Sequence, residues 1–339
     1  MAVGVARPDV SPPRAGPSGR TGLVVLVGLT VVAVLARFAD PGRLAWLQNL
    51  TIVFGSLVVE ATPFILLGAF VSAAIEVFVP TSTFALLGTL PRALQLPAAA
   101  LAGVAFPVCE CGSVPVARRL VRKGLAPSAA VTFMLAAPIL NPVVVASTFV
   151  AYRGRDSLGV MVLGRMGLGF LVAVAVGWVV GSTRKDGLLR ARPDDEELDT
   201  EAGGTESRRA RFVSHLTSDF VFMGRFLILG AAIAAAVQTF VPQSIVGRVA
   251  DLPVLSLVAM MALAFVMSLC SESDAFVAAS FTQFGPAAQL AFLVSGPMID
   301  LKLGALYAGT YSKGFLRTVV ITVAAVTLIG TLWLQVVFG

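Results

Sequence analysis

Seven stretches of the chain are apolar on all sides and come close to, or exceed, the roughly 17 to 25 helical residues that cross a bilayer core of about 30 Å. They run from about Gly22 to Ala36, Leu50 to Val79, Ala126 to Ala151, Leu158 to Val180, Phe220 to Val241, Ala287 to Ala308 and Leu316 to Phe338. Each predicts a membrane helix. Two further apolar segments, Leu96 to Gly124 and Leu252 to Phe284, are interrupted midway by Pro, Gly and polar residues. The first run follows the leader MAVGVARPDVSPPRAGPSGR and has the basic flank and short apolar core of a signal peptide. That leader is long and rich in Pro and Gly, so a disordered tail over 1–21 and an uncleaved helix over 22–39 are predicted instead.

The one long hydrophilic stretch, over 182–218, contains RKDGLLRARPDDEELDTEAGGTESRRAR and reads as a solvated, disordered linker. The sequence repeats on either side of it. PFILLGAFVSAAIEVFVP from Pro63 matches RFLILGAAIAAAVQTFVP from Arg225 at nine of eighteen positions, pairing Gly68 with Gly230 and Pro80 with Pro242. The offset of 162 residues, carried forward, pairs Glu110 with Glu272, Cys109 with Ser271 and Cys111 with Ser273. After a three-residue shift APILNP at Ala137 faces GPMID at Gly296. The domains predicted are membrane repeat 1 over 40–181 and membrane repeat 2 over 219–339.

Basic loop residues set the orientation. With Arg7, Arg14 and Arg20 in the cytoplasm, the run from Leu50 ends inside near Arg92. If Leu96 to Gly124 crossed the membrane, Arg118, Arg119, Arg122, Lys123 and the charged linker would be stranded outside. A re-entrant hairpin keeps them all inside. The second interrupted segment carries no basic residue on its return limb, AFVAASFTQFGPAAQ, as suits a hairpin whose base faces outward. The fold class predicted is therefore all-α integral membrane: an inverted-repeat transporter with two opposed re-entrant hairpins and about seven crossings, one N-terminal plus three and three.

Composition agrees with this picture. Of 339 residues, 57% are hydrophobic and 13% charged, against about 25% charged in soluble domains, and the mean hydropathy is +0.89. A multi-pass protein of the bacterial cytoplasmic membrane, N-terminus inside, is predicted. The net charge of +6 sits in short loops beside apolar runs, where it marks topology, and no nucleic-acid partner is expected. No Gly-rich phosphate loop ending in Gly-Lys-Ser/Thr occurs, which argues against direct use of ATP. No enzymatic activity and no cofactor are predicted; the expected partners are lipid and a small solute, with a homo-oligomer left open.

Candidate chemistry gathers at the two hairpin tips. All three cysteines, Cys109, Cys111 and Cys270, fall there. Buried cysteine is commonly a small packing residue, yet thiolates also bind soft partners such as Cu(I), Zn or trivalent metalloids. Cys109 and Cys111 are the candidate metalloid ligands. A structural zinc site wants four ligands and more histidine, and the one histidine, His215, falls in the linker. Glu110 and Glu272 are the matched carboxylates, with Asp274 a third. Such residues persist at membrane depth where they line a pathway or find a partner, and Glu110 and Glu272 are the proton-coupling candidates. Gly112, Ser113 and Ser271 complete the tips.

The matched helix breaks add Pro138 and Asn141 in the first half and Pro297, Asp300 and Lys302 in the second; Pro138 and Pro142 each remove a helical donor. Lys302 lies too deep to reach water and requires a partner; Asp300 could serve only if the helix is broken between them. Arg165, the other deep cation, is expected on Glu60 or Asp300. Glu76 and Gln238 are expected at an interface.

The run FPVCECGSVPVARRLVRKG, then AAPILNPVVV, CSESDAF and GPMIDLKLG, resembles the ArsP/YraQ-type permeases over Leu50 to Gly339. The resemblance implies a permease, some of whose relatives export trivalent organoarsenicals. It carries a Cys-x-Cys onto Cys109 and Cys111, an acidic second tip onto Glu272 and Asp274, and a Pro-x-x-Asp-x-Lys onto Pro297, Asp300 and Lys302. The Phe-Ala-Ser-Phe-Gly signature associated with the arsenical exporters is absent. The leading expectation is a proton-coupled secondary permease for a soft, thiol-reactive solute, with efflux of a trivalent metalloid or organoarsenical as the leading case. The alternatives are a DsbD-like thiol electron carrier and a channel.

Overall fold

The computed structural model describes residues 45–80, 90–105, 108–182, 189–190, 207–240 and 253–338. The predicted tail over 1–21, the first helix over 22–39 and the middle of the linker lie outside them. The chain divides into Met1–Thr51 and Ile52–Gly339. The described helices belong to the second unit, apart from the opening turns of the first helix, which fall in the other.

Twelve helices are described: α1 Ala45–Phe78, α2 Arg92–Ala105, α3 Glu110–Arg122, α4 Pro127–Leu140, α5 Pro142–Ala151, α6 Leu158–Ser182, α7 Arg208–Phe240, α8 Pro253–Met267, α9 Asp274–Ser280, α10 Pro286–Ser295, α11 Leu301–Thr310 and α12 Lys313–Phe338. Among the described residues, five helical stretches are long and apolar enough to cross a membrane: Trp46–Phe78, Pro127–Ala151, Leu158–Gly181, Arg208–Phe240 and Lys313–Val337. The stretch over α10 and α11 is broken at 296–300, where a turn over 296–298 gives way to an extended Asp300. Large apolar side chains face outward along α1 (Ile52, Val59, Leu66) and α12 (Ile321, Trp333, Val336). Contiguous apolar surface on that scale suits lipid as solvent.

The order long, short, short, broken pair, long recurs, so α1 to α6 correspond to α7 to α12. The packing partners recur too. In the first half α4 packs against α2, α3, α5 and α6; in the second α10 packs against α8, α9 and α12. The halves meet along α6 and α12, and each broken pair's distal helix lies on the other half's short helix, α5 on α9 and α11 on α3. Burial follows from that plan: 78% of the hydrophobic window across α4 and α5 is buried, against 17% in α1, which makes α4 a central post and α1 a lipid-facing wall.

Local chemistry sets the boundaries. Pro127, Pro142 and Pro286 open their helices at the first position, where a missing N–H costs nothing. Asn141 and Asp300 cap α5 and α11 by accepting from the backbone N–H of Val143 and Leu303. These two caps are equivalent positions of the repeat. Helix α3 ends in a Schellman motif: Leu125 N–H reaches Leu120 O, Gly124 N–H reaches Val121 O, and Gly124 takes φ +94°. The chain thereby turns straight into α4.

One boundary departs from expectation. Helix α7 begins at Arg208, inside the predicted linker, and the segment through Ser218 is helical. Phe212 packs on Phe70 and Phe78, and His215 and Asp219 are buried. Residues 212, 215 and 219 share one helical face, so the polar groups there are paired rather than solvated. Hydrophilic composition hid that face.

Candidate functional site

Both interrupted segments are helix, break, helix, and the two breaks touch. Tip 1 is Val108 and Cys109, the latter in extended backbone, followed by α3. Tip 2 runs over 268–273, where Ser268 takes φ 49°, a left-handed conformation that costs a serine about 1–2 kcal/mol. The Cys270 carbonyl then accepts from Ser273 N, Asp274 N and Ser273 Oγ, which starts α9. Tip 1 is seated by Gly112 against Gly68 of α1, where an added Cβ on Gly68 would overlap Gly112 Cα. Gly230, the partner of Gly68 in the repeat, sits instead on Lys302 of α11, its would-be Cβ 2.8 Å from Lys302 Cα.

Lys302 is buried and pairs with Glu110, Nζ to Oε1 3.1 Å, with Cys270 Sγ 3.7 Å away. Ser271 Oγ lies 3.1 Å from Glu110 Oε2 and 3.4 Å from Glu272 Oε2. Residues of both tips and of α11 therefore form one joint. Arg165 of α6 binds tip 2 two ways, to Asp274 Oδ2 at 2.8 Å and Ser271 O at 3.0 Å, and is steadied by Thr148 Oγ1 of α5 at 2.9 Å. Ser273 Oγ donates to Glu60 Oε1 at 3.0 Å. Each half thus lends a cation to the other half's tip. Buried pairs of this kind contribute little net stability, but losing one partner costs about 3–5 kcal/mol.

Of the predicted residues, Cys109, Glu110, Cys111, Gly112 and Ser113 are buried together at tip 1, and Cys270, Ser271, Glu272 and Asp274 form tip 2, with Glu272 half-buried. Pro138, Asn141, Pro297 and Asp300 are buried at the two breaks, where Asn141 and Asp300 act as caps. Two pairings differ from expectation. Arg165 pairs with Asp274, because tip 2 and not α1 or the second break lies across from α6. Lys302 pairs with Glu110, since capping of α11 takes the Asp300 carboxylate. The three cysteines are free thiols, and among the described residues no group of three or more His, Cys, Asp or Glu converges to hold a metal ion.

A second polar cluster was not foreseen. Arg119 bridges Glu76 of α1 at 3.2 Å and Asp219 of α7 at 3.3 Å, with His215 Nδ1 at 3.5 Å. Ser72 donates to Asp219 at 2.7 Å, and Lys123 Nζ donates to the carbonyls of Glu76 and Val79. Burial lowers the Lys123 ammonium below its ordinary range, Glu76 opposing the shift and Arg119 adding to it. Arg118 is also buried, donating to the carbonyls of Arg190 and Thr310. Arg118 and Arg119 are thus structural ties between elements. The helical spacing of Phe212, His215 and Asp219 within the hydrophilic start of α7 was the available signal.

These contacts sort the molecule into two ends. At one end lie Glu76, Arg118 to Lys123, Asp219, residues 189–190 and Thr310, and Arg92 donates there to the carbonyls of Gly177 and Trp178. At the other lies the turn over 152–157, where Arg155 donates to Ala279 O and Tyr152 to Gln289, whose amide holds the carbonyls of Phe281 and Phe284. Helix α6 joins the ends, its 25 residues rising about 37 Å.

A family model described as "predicted permease", ArsP_1, matches residues 46–336. The chain is 39% identical over 286 residues to the UPF0718 protein YcgR of Bacillus subtilis (strain 168), covering 84% of this chain and 96% of that protein. It is 32% identical over 252 residues to a Streptococcus mutans protein named as a subunit of a two-component membrane permease complex, covering 74% of this chain and 83% of that one. No solved structure matches.

Proposed function

The chain belongs to the ArsP_1 family of permeases, a multi-pass membrane transporter and not an enzyme, and we propose that it moves its solute through the joint between the two tips. The observation that carries this reading is the meeting of Glu110, Ser271 and Lys302 from opposite halves at a single buried point.

The two interrupted segments are read as opposed re-entrant hairpins. Segment 1 starts with Arg92 on the C-terminal end of α6 and finishes with Arg119 and Lys123 on Glu76, Val79 and Asp219, all beside the linker. Segment 2 finishes with Ala279 and Phe284 on Arg155 and Gln289, at the N-terminal end of α6. Bases at opposite ends with tips in contact support seven crossings in all, counting the predicted N-terminal helix and the broken pair α10–α11. The basic ties of segment 1 support a cytoplasmic linker and N-terminus in a bacterial cytoplasmic membrane. Non-helical backbone at that depth is tolerated where it borders a solute path.

The solute read from the site is soft and thiol-reactive, a trivalent metalloid species being the leading case. Its support is that Cys109, Cys111 and Cys270 are free thiols and sit at the tips, with the Lys302 ammonium beside Cys270. Proton coupling through Glu110 and Glu272 completes the reading. Everted vesicles from a sensitised host expressing the chain should accumulate phenylarsine oxide when energised. Cys109→Ser with Cys111→Ser should abolish that accumulation at normal expression; unchanged accumulation removes the arsenical substrate, and none in the parent protein removes it too.

A further inference from the structure

The hydrogen count at the joint does not close if both tip carboxylates are ionised. Ser271 is wholly buried, and its Oγ stands within hydrogen-bond distance of Glu110 Oε2 and of Glu272 Oε2 at once. A hydroxyl has one hydrogen to give and lone pairs to accept with. With one hydrogen it makes a well-aligned bond to one carboxylate, and a well-aligned bond to the second needs that one to bring a hydrogen of its own, as a carboxylic acid donating to Oγ.

The two are not equivalent. Glu110 is held by the Lys302 ammonium at 3.1 Å. Glu272 has no cation within ion-pair distance among the described residues, since Arg165 is taken by Asp274. The groups facing this point are Glu110 and Cys111 from α3, Glu60 from α1, Arg165 from α6, Cys270 and Asp274 from tip 2 and α9, and Asp300, Lys302 and Tyr307 from α11. With Glu272 itself, five of these are carboxylic side chains and two are cations, Arg165 and Lys302. Full ionisation would leave an excess of negative charge where little water reaches it, which is costly.

We propose that the joint binds one exchangeable proton, carried by Glu272 and donated to Ser271 Oγ, whose own hydrogen goes to Glu110, and that this proton fastens tip 2 to tip 1. The idea rests on the proton-coupling reading and specifies its regulation. When Glu272 gives the proton to water, Ser271 holds only one of two like-charged carboxylates, and the tips are pushed apart. Rebinding draws them together again. Ser271 is in this scheme a positioning residue, acting through the carboxylates on either side of it.

Infrared difference spectroscopy of the full chain in lipid nanodiscs, titrated with pH, reads the carbonyl stretch of a protonated carboxylic side chain with no solute present. The expected result is a titrating band that is lost in Glu272→Gln, moves to higher frequency in Ser271→Ala as the hydrogen bond disappears, and returns to its position in Ser271→Thr. A band that survives Glu272→Gln, or one indifferent to Ser271→Ala, overturns the proposal. Ser271→Ala removes a single oxygen, so the test stands even where Glu272→Gln fails to fold. Because no solute takes part, failure here leaves the transport reading intact. Conversely, absent phenylarsine oxide transport with the band in place counts against the arsenical substrate alone.

Discussion

Tip 1 feeds a helix of 13 residues and tip 2 one of seven. The first is closed by a Schellman turn, seated glycine to glycine on α1, and tied at its far end by Arg119 to both α1 and α7. The second rests on a strained serine and is held by side chains of the other half, the Arg165 guanidinium with Glu60 and Glu110, and not by a close backbone seat. Related sequence at the offset of 162 has thus become a braced tip and a lightly held one. The difference teaches where motion belongs: a segment with few ties opens at low cost, and tip 2 also carries the half-buried carboxylate that no cation neutralises among the described residues.

Cutting the guanidinium is the strongest way to break this contrast. Arg165→Met should leave Asp274 buried without its counter-charge and destabilise the protein by about 3–5 kcal/mol, read as a lowered Tm in nanodiscs. Arg165→Met with Asp274→Leu should recover most of the loss. A single variant that melts like the parent protein would show that tip 2 is held by something else.

Seating is the next lever. Gly68→Ala forces α1 and α3 apart and should cost about 1–3 kcal/mol, the range for overpacking. Gly55→Ala, with open space around it, should be neutral or slightly stabilising in the same helix. Gly68→Ala melting no lower than Gly55→Ala would mean that tip 1 is not braced through this contact.

Much of this layout was legible in the chain itself. Shared residues at a fixed offset placed α1 and α7 as equivalents, and the carbonyl-freeing prolines placed the breaks at Asn141 and Asp300. The pairings were less legible, because Arg165 and Asp274 are 109 residues apart and no spacing rule links a deep cation to one of several carboxylates. The helical start of α7 was missed for a related reason. His215 and Asp219 look solvated until Arg119 and Ser72, from two other helices, are brought against them.

The smallest effect sharpens the symmetry and not the difference. Asn141→Ala and Asp300→Ala each remove a cap of the same design, and each should cost about 1 kcal/mol, Asp300 somewhat more because a carboxylate also suits a helix N-terminus. Thermal melts of the two variants provide the comparison. Costs differing several-fold would assign one of these residues a task beyond ending a break.

The crossed loan of charges, Arg165 to the second tip and Lys302 to the first, has a bearing on ancestry. Severed from its twin, neither repeat can neutralise its own acid. Any half-length forerunner bearing these charges would have needed a second copy to supply the missing base, so gene fusion would have recorded a dependence that already existed between separate chains.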